Sequence, residues 1–354
     1  MDRTAKAGIM IIATGMVIAG LYYFRAAIVQ FALALLVYVG VEALTSWLDR
    51  RVRFMPRWLA LGLALVFVIA VIGWIGWFMA ENIGEFTARS DQYGARIDAV
   101  ITQAYGTLGL DGAPPTVKGL LRDVDGARVL GAIASGLQDV TANAVFILVY
   151  LGFILAAARG FPKKLDAIFP GPEARAHVAQ IFNALRLSVQ KYLWVTTYLG
   201  ALTSVVLYFA LLLIGLDNPL FWAILIFFLS FIPTIGPFIG TVLPVLYALV
   251  QFDGLAPVGA VAAAVGGAHF VAGNFVQPRL TGNSLNLSAL VILLALALWG
   301  VLWGIAGAFL ATPLTVMGMT LLAQFSSTRW IAILLSADGN PPTFARAAAT
   351  KAGS

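Results

Sequence analysis

Apolar residues run through this chain in long, nearly uncharged blocks divided by short charged stretches. A membrane-crossing helix needs about 20 apolar residues. Residues 7–24, 26–47 and 58–80 each approach or exceed that length, with Arg25 the only charge between the first two. Further spans are predicted over 141–158 and 193–214, the latter ending at the turn Gly215-Leu-Asp-Asn-Pro219. The first block carries no small-residue cleavage site before the second begins, so it reads as a retained helix, not a signal peptide. Residues 81–140 differ in character: acids outnumber bases, and Ile97, Ile101, Ala104 and Leu108 recur at helical spacing before Gly109–Pro115 breaks the pattern. This predicts a small amphipathic helical domain outside the membrane.

The last third is less regular. Residues 220–250 are apolar but interrupted at Pro233, Gly236, Pro237, Gly240 and Pro244. Residues 256–276 form a Gly- and Ala-rich run, and 285–323 are apolar with interruptions at Trp299-Gly300, Trp303-Gly304, Gly307 and Pro313. Proline removes a backbone donor and clashes with the preceding turn, so a helix must break near Pro233–Pro237. Thirty or more helical residues exceed a hydrocarbon core about 30 Å thick. Each interrupted segment is therefore a kinked, tilted span or a re-entrant helical hairpin. Two hairpins place Arg279 inside the cell, two full spans place it outside, and the positive-inside tendency favours hairpins.

Composition sharpens this picture. With 61% hydrophobic and 11% charged residues and a mean hydropathy of +0.93, the chain is not an ordinary soluble domain. The formal net charge of +6 follows from basic loops beside membrane spans, not from nucleic-acid binding. One such loop is Asp49-Arg-Arg-Val-Arg-Phe-Met-Pro-Arg57. A second, over 159–192, carries Arg159, Lys163, Lys164, Arg175, Arg186 and Lys191. Pro172 and Glu173 suit the first turn of an amphipathic helix in that loop, with Val178, Phe182, Leu185 and Val189 as its apolar stripe. The alternation places both basic loops and both termini in the cytoplasm. The domain reading is thus three helices over 1–80, an outer domain over 81–140, a span at 141–158, the cytoplasmic loop 159–192, a membrane core with broken helices over 193–325, and a cytoplasmic tail over 326–354.

Three motifs in order, Phe231-Ile-Pro-Thr-Ile-Gly-Pro237, Asn274-Phe-Val-Gln-Pro-Arg-Leu-Thr-Gly282 and Trp303-Gly-Ile-Ala-Gly-Ala-Phe-Leu-Ala-Thr-Pro313, make the chain resemble the AI-2E family, the autoinducer-2 exporter-like permeases. The resemblance implies an all-α integral protein of the bacterial inner membrane with about eight membrane segments, two of them broken or re-entrant hairpins. It also implies a homo-oligomer, a pentamer being one candidate, and efflux of a small polar solute of the autoinducer-2 kind. The chain departs from the family pattern at Thr234, where an aromatic often stands, at Leu285-Asn-Leu-Ser288, and at Glu42.

Buried polar groups in a membrane are costly and therefore mark candidate sites. His269, Gly273 and Gln277 fall on one face of a regular helix, with Asn274 beside them and Pro278 and Arg279 following. This predicts a polar stripe along a solute path or, equally, interhelical hydrogen bonds. Arg279 could bind a hydroxyl-rich or anionic solute or anchor the topology. Pro233, Gly236, Pro237 and Gly240 mark one candidate gate; Trp299, Gly300, Trp303, Gly304, Gly307 and Pro313 mark another. The glycines also suit close helix packing, and the tryptophans suit an interfacial belt. Glu42 and His269 are the candidate ion-coupling groups, although Glu42 reads more readily as a snorkelling carboxylate paired with Arg50 or Arg51. Cysteine is absent, and HExxH, GxSxG and Gly-Lys-Ser/Thr motifs are missing, so no enzyme, cofactor or metal site is expected. The alternatives to solute export are sodium/proton antiport and a non-transporting membrane scaffold.

Overall fold

The computed structural model describes residues 3–52, 55–88, 98–99, 102, 105–106, 144–169, 171–281 and 286–341. Most of the predicted outer domain and the end of the tail lie outside them. Among the described residues the chain is helical, with one isolated bridge between Leu287 and Ser336. The helices are α1 (Arg3–Tyr23), α2 (Arg25–Arg51), α3 (Arg57–Ala88), α4 (Ala144–Ile168), α5 (Pro172–Ile214), α6 (Pro219–Leu229), α7 (Ile235–Gln251), α8 (Leu255–Val271), α9 (Gln277–Thr281), α10 (Ala289–Leu322) and α11 (Arg329–Leu335). A π-helical stretch, Ala272–Val276, joins α8 to α9. Among the described residues six helical segments are long and apolar enough to cross a bilayer, and three shorter helices are also apolar. The chain is an all-α integral membrane protein.

The loop predicted over 159–192 is mostly helix. α4 runs on to Ile168 and α5 begins at Pro172, with Glu173 in its first turn as anticipated. Arg175 pairs with Asp166 at 3.1 Å, and Phe161 meets Phe182 edge-on at 4.8 Å. Ile181, Val189 and Tyr192 are the buried positions of this half of α5, whereas Phe182 stays half-exposed. Of the stripe read in the sequence, Val189 is buried and Val178 and Leu185 partly so, while Ile181 takes the buried place expected of Phe182.

The chain divides into two compact units, 1–65 with 143–193 and 283–354, and 66–142 with 194–282. In the first, α2 packs on α4 through Ala34, Ile147 and Leu151, and Phe31 meets Tyr150 edge-on at 6.0 Å. In the second, Met79 of α3, Leu207 and Leu211 of α5, Phe221, Trp222 and Ile226 of α6, Ala248 of α7 and Val261 and Val265 of α8 form one core. Burying a Leu or Phe side chain is worth about 1.5–3 kcal/mol relative to water. Between membrane helices that drive is absent, and close contact matters more. Gly200 supplies such a contact, its Cα facing Phe227 and Ser230.

Both interrupted segments are hairpins. α6 and α7 hold 11 and 17 residues, about 16 and 26 Å of helix, each short of a 30 Å core. Gln251 at the end of α7 donates to the Gly215 carbonyl at 2.7 Å and accepts from the Asp217 amide at 2.8 Å. The end of the segment is thereby fastened to its beginning. The turn before α6 has the geometry its residues dictate: Gly215 and Asn218 take positive φ, and Pro219 opens the helix.

In α10 the fold-back occurs at Gly304, whose φ of 65° and ψ of −144° lie in a region essentially confined to glycine. Val291 and Ile292 from the first arm pack on the cluster of Val316 and Met319 from the second. Residues 291 and 319 would be about 42 Å apart in a straight helix. The base of this hairpin is held by the following segment, through Ser288 N–H to Leu335 O and Ala337 N–H to Asn286 O, both 3.0 Å.

Candidate functional site

The tip of the first hairpin is built by running out of helix. Ser230, Phe231 and Ile232 close α6 with amides directed to Ile226, Phe228 and Leu229, and the Ser230 hydroxyl also donates to Ile226 O. Ile235 N–H then reaches the Pro233 carbonyl at 2.6 Å, with Thr234 between them at φ 61°, ψ −53°. This is a γ-turn of the rare, strained kind, and a β-branched residue at positive φ is an outlier in its own right. The break therefore spans 230–234, slightly before the position expected from the prolines. Pro237 lies in the first turn of α7, where a missing N–H costs nothing, and only Pro233 belongs to the turn itself.

Gly236 has the strictest requirement in this hairpin. A methyl on it would overlap the backbone carbonyl of Leu229. In the other unit Gly307 stands in the same relation to the Trp299 carbonyl, and Gly304 makes the turn. A methyl on Gly240 would only press on Ile226 and His269, and Gly300 has open space around it. Pro313 is buried in the second arm of α10.

His269 of α8 lies against Gly240, and its Nδ1 is 3.0 Å from the Thr241 hydroxyl. That hydroxyl in turn donates to the Pro237 carbonyl at 2.8 Å. Thr241 was not singled out in the sequence; its only signal was a hydroxyl one turn beyond a proline-led helix start. Nor was Gln251, a lone amide closing an apolar helix.

The π-helical turn at 272–276 takes more residues per turn than a regular helix and so resets the register of Gln277 relative to His269. Pro278 gives the physical reason, since its ring would clash with the Asn274 carbonyl in a regular α-helix and a wider turn relieves the clash. Asn274 donates to Phe270 O at 2.9 Å, and Asn274, Gln277, Pro278 and Arg279 are all exposed.

In the unit containing α10, two expectations are corrected. Trp303 is buried, its indole N–H donating at 3.0 Å to the Leu21 carbonyl at the end of α1, and Trp299 lies tilted against it with ring centroids 4.5 Å apart. Trp303 thus caps an orphan carbonyl of α1 and is not an interfacial belt residue. Glu42 is buried and accepts from Arg57 Nη2 at 2.6 Å, so its partner is neither Arg50 nor Arg51. Arg50 lies eight residues on in the same helix, about 12 Å along the axis, whereas Arg57 returns alongside at the start of α3. Glu42, the acidic candidate for ion coupling, thus sits in an ion pair with Arg57.

Comparison with known proteins agrees with this architecture. The family model described as "AI-2E family transporter" matches residues 11–327. "Putative transport protein YhhT" of Escherichia coli (strain K12) is 28% identical over 322 residues, covering 90% of each chain. "AI-2 transport protein TqsA" of the same strain is 27% identical over 325 residues, covering 90% of this chain and 92% of its own. A "Putative transport protein" of Borreliella burgdorferi is 30% identical over 196 residues, about half of each chain. A multi-pass helical membrane protein with two proline- and glycine-built hairpins, matched to one family model along nearly all its length, belongs to the AI-2E family of transporters.

Proposed function

We propose that this protein carries a small polar solute outward across the bacterial inner membrane, as a homo-oligomer with both termini in the cytoplasm. The observation that carries the reading is the tip of the first hairpin. It offers backbone polar groups inside an otherwise apolar segment, and such groups are tolerated at membrane depth only where protein or a water-filled cavity receives them. His269 and Thr241 stand directly behind that tip on α8 and α7. No Asp, Glu, Lys or Arg occurs in 219–251 or 254–278, so an uncharged solute suits this region better than an ion. The relative named as an AI-2 transport protein makes autoinducer-2 the first solute to try.

The test is efflux of autoinducer-2 from loaded proteoliposomes. Pro233→Ala combined with Pro237→Ala should lower flux by relaxing the turn at Pro233–Ile235, with Pro237, outside the turn, contributing little. Normal flux from a correctly folded double variant would remove the hairpin tip from the path. In pH-dye-loaded vesicles, a sodium-dependent pH change absent from empty liposomes would replace this reading with sodium/proton exchange. Glu42, held by Arg57, offers no free carboxylate for such exchange.

A further inference from the structure

The contact between Thr241 and His269 fixes more than packing. The Thr241 oxygen lies 2.8 Å from the Pro237 carbonyl and 3.0 Å from His269 Nδ1. A hydroxyl carries one proton. If that proton went to Nδ1, the hydroxyl and carbonyl oxygens would face each other as two acceptors at hydrogen-bond distance. If it goes to the carbonyl, the imidazole must supply the second proton, as Nδ1–H to the hydroxyl oxygen. Only this arrangement makes both contacts hydrogen bonds.

The same arrangement leaves Nε2 of the neutral ring as a bare acceptor. No hydrogen bond reaches Nε2 among the described residues, and the ring edge carrying Cε1 and Nε2 lies against Gly240, where the absence of a side chain leaves room for the ring. A methyl at Gly240 would come within 3.2 Å of Cε1 and 3.6 Å of Nε2.

We infer that Thr241 is a positioning residue that locks His269 in the Nδ1–H tautomer, so that Nε2, left without a partner among the described residues, accepts a hydrogen bond from a hydroxyl or N–H of an uncharged solute. The solute contact rests on the transport reading above; the tautomer lock does not. Thr241 acts through His269 and needs no contact with the solute itself. A purely packing role for the pair would be indifferent to which nitrogen holds the proton.

Nitrogen-15 NMR of histidine-labelled protein in lipid separates these cases. The chain has two histidines, and a His177→Gln background leaves His269 as the sole signal. Above the imidazole titration range, the wild-type ring should show Nδ1 protonated and Nε2 unprotonated. Thr241→Val should shift population to the Nε2–H form, and Thr241→Ser should restore the original spectrum. An Nε2–H ring in the unsubstituted protein, or an unchanged tautomer in Thr241→Val, overturns the lock.

Flux of autoinducer-2 then tests the solute contact. His269→Gln, whose amide reaches the Nε2 position, should keep more transport than His269→Asn, whose amide reaches only the Nδ1 position. Equal loss, or better transport by His269→Asn, overturns the Nε2 contact. Failure of the unsubstituted protein to move autoinducer-2 would reject the transport reading for that solute and leave the tautomer result standing or falling by its own spectrum.

Discussion

Individual residues in this fold are constrained by backbone far more than by side-chain chemistry. Gly236 and Gly307 are irreplaceable because each lies on a carbonyl seven or eight residues earlier, Leu229 and Trp299, which no regular helix would bring so near. Gly236→Ala and Gly307→Ala should each destabilise the protein by about 2–3 kcal/mol, since neither carbonyl can move without dismantling its hairpin. Gly300→Ala, in open helical surroundings, should be neutral or stabilising by up to about 1 kcal/mol. Thermal unfolding in detergent checks the ranking, and equal effects at 236 and 300 would contradict it. In the sequence these glycines were indistinguishable from one another. Small-residue spacing records that backbones approach closely, not which backbone, and these partners meet only because the chain folds back between them. Glu42 illustrates the same limit, because its partner becomes visible only once the chain reverses between α2 and α3.

At the scale of elements, the spans were legible and the direction of the chain within the interrupted ones was not. Hydropathy fixes how much chain is in lipid, so α1 to α5 begin or end within a few residues of the predicted limits where a turn or charge intervenes. The turn at 215–219 was equally plain, as Gly, Asn and Pro each impose their own backbone angles there. A straight helix and a hairpin share one hydropathy profile, and only Gly304, with its glycine-only geometry, turns α10 back. Spin labels at Leu290→Cys and Leu321→Cys, both exposed positions, test this directly. A straight α10 would hold them about 46 Å apart. The hairpin predicts a separation set by neighbouring helices, roughly 8–10 Å between axes, plus the label linkers. A long distance would return α10 to a single span. The π-turn before Pro278 was also hidden, because a proline in an apolar run fits a kink as well as a widened turn.

For the whole molecule, the two hairpins settle an arithmetic that the sequence left open. Each hairpin returns the chain to the side it came from, so only the span over 255–280 separates them, and Arg279 is expected on the cytoplasmic side. The chain contains no cysteine, which makes single-site labelling clean. Arg279→Cys should resist a membrane-impermeant maleimide in intact spheroplasts and react after permeabilisation. Labelling before permeabilisation would invert this part of the topology. Membership of the family was also legible, because three motifs in order constrain a chain more tightly than any one of them. The outer domain over 81–140 lies mostly outside the described residues, and its acidic character stands as a reading of the sequence alone.

Gln251, finally, does more than mark where the first hairpin ends. With bonds to Gly215 and Asp217 it turns the segment between them into a closed ring. Helices ordinarily lose order by fraying from their ends, and this ring has no loose end at its base. Its amides would exchange with solvent as one cooperative block, sharing a single opening free energy. Gln251→Ala would open that ring and let the base of the hairpin fray first, which faster amide exchange at 215–219 and 248–251 would reveal.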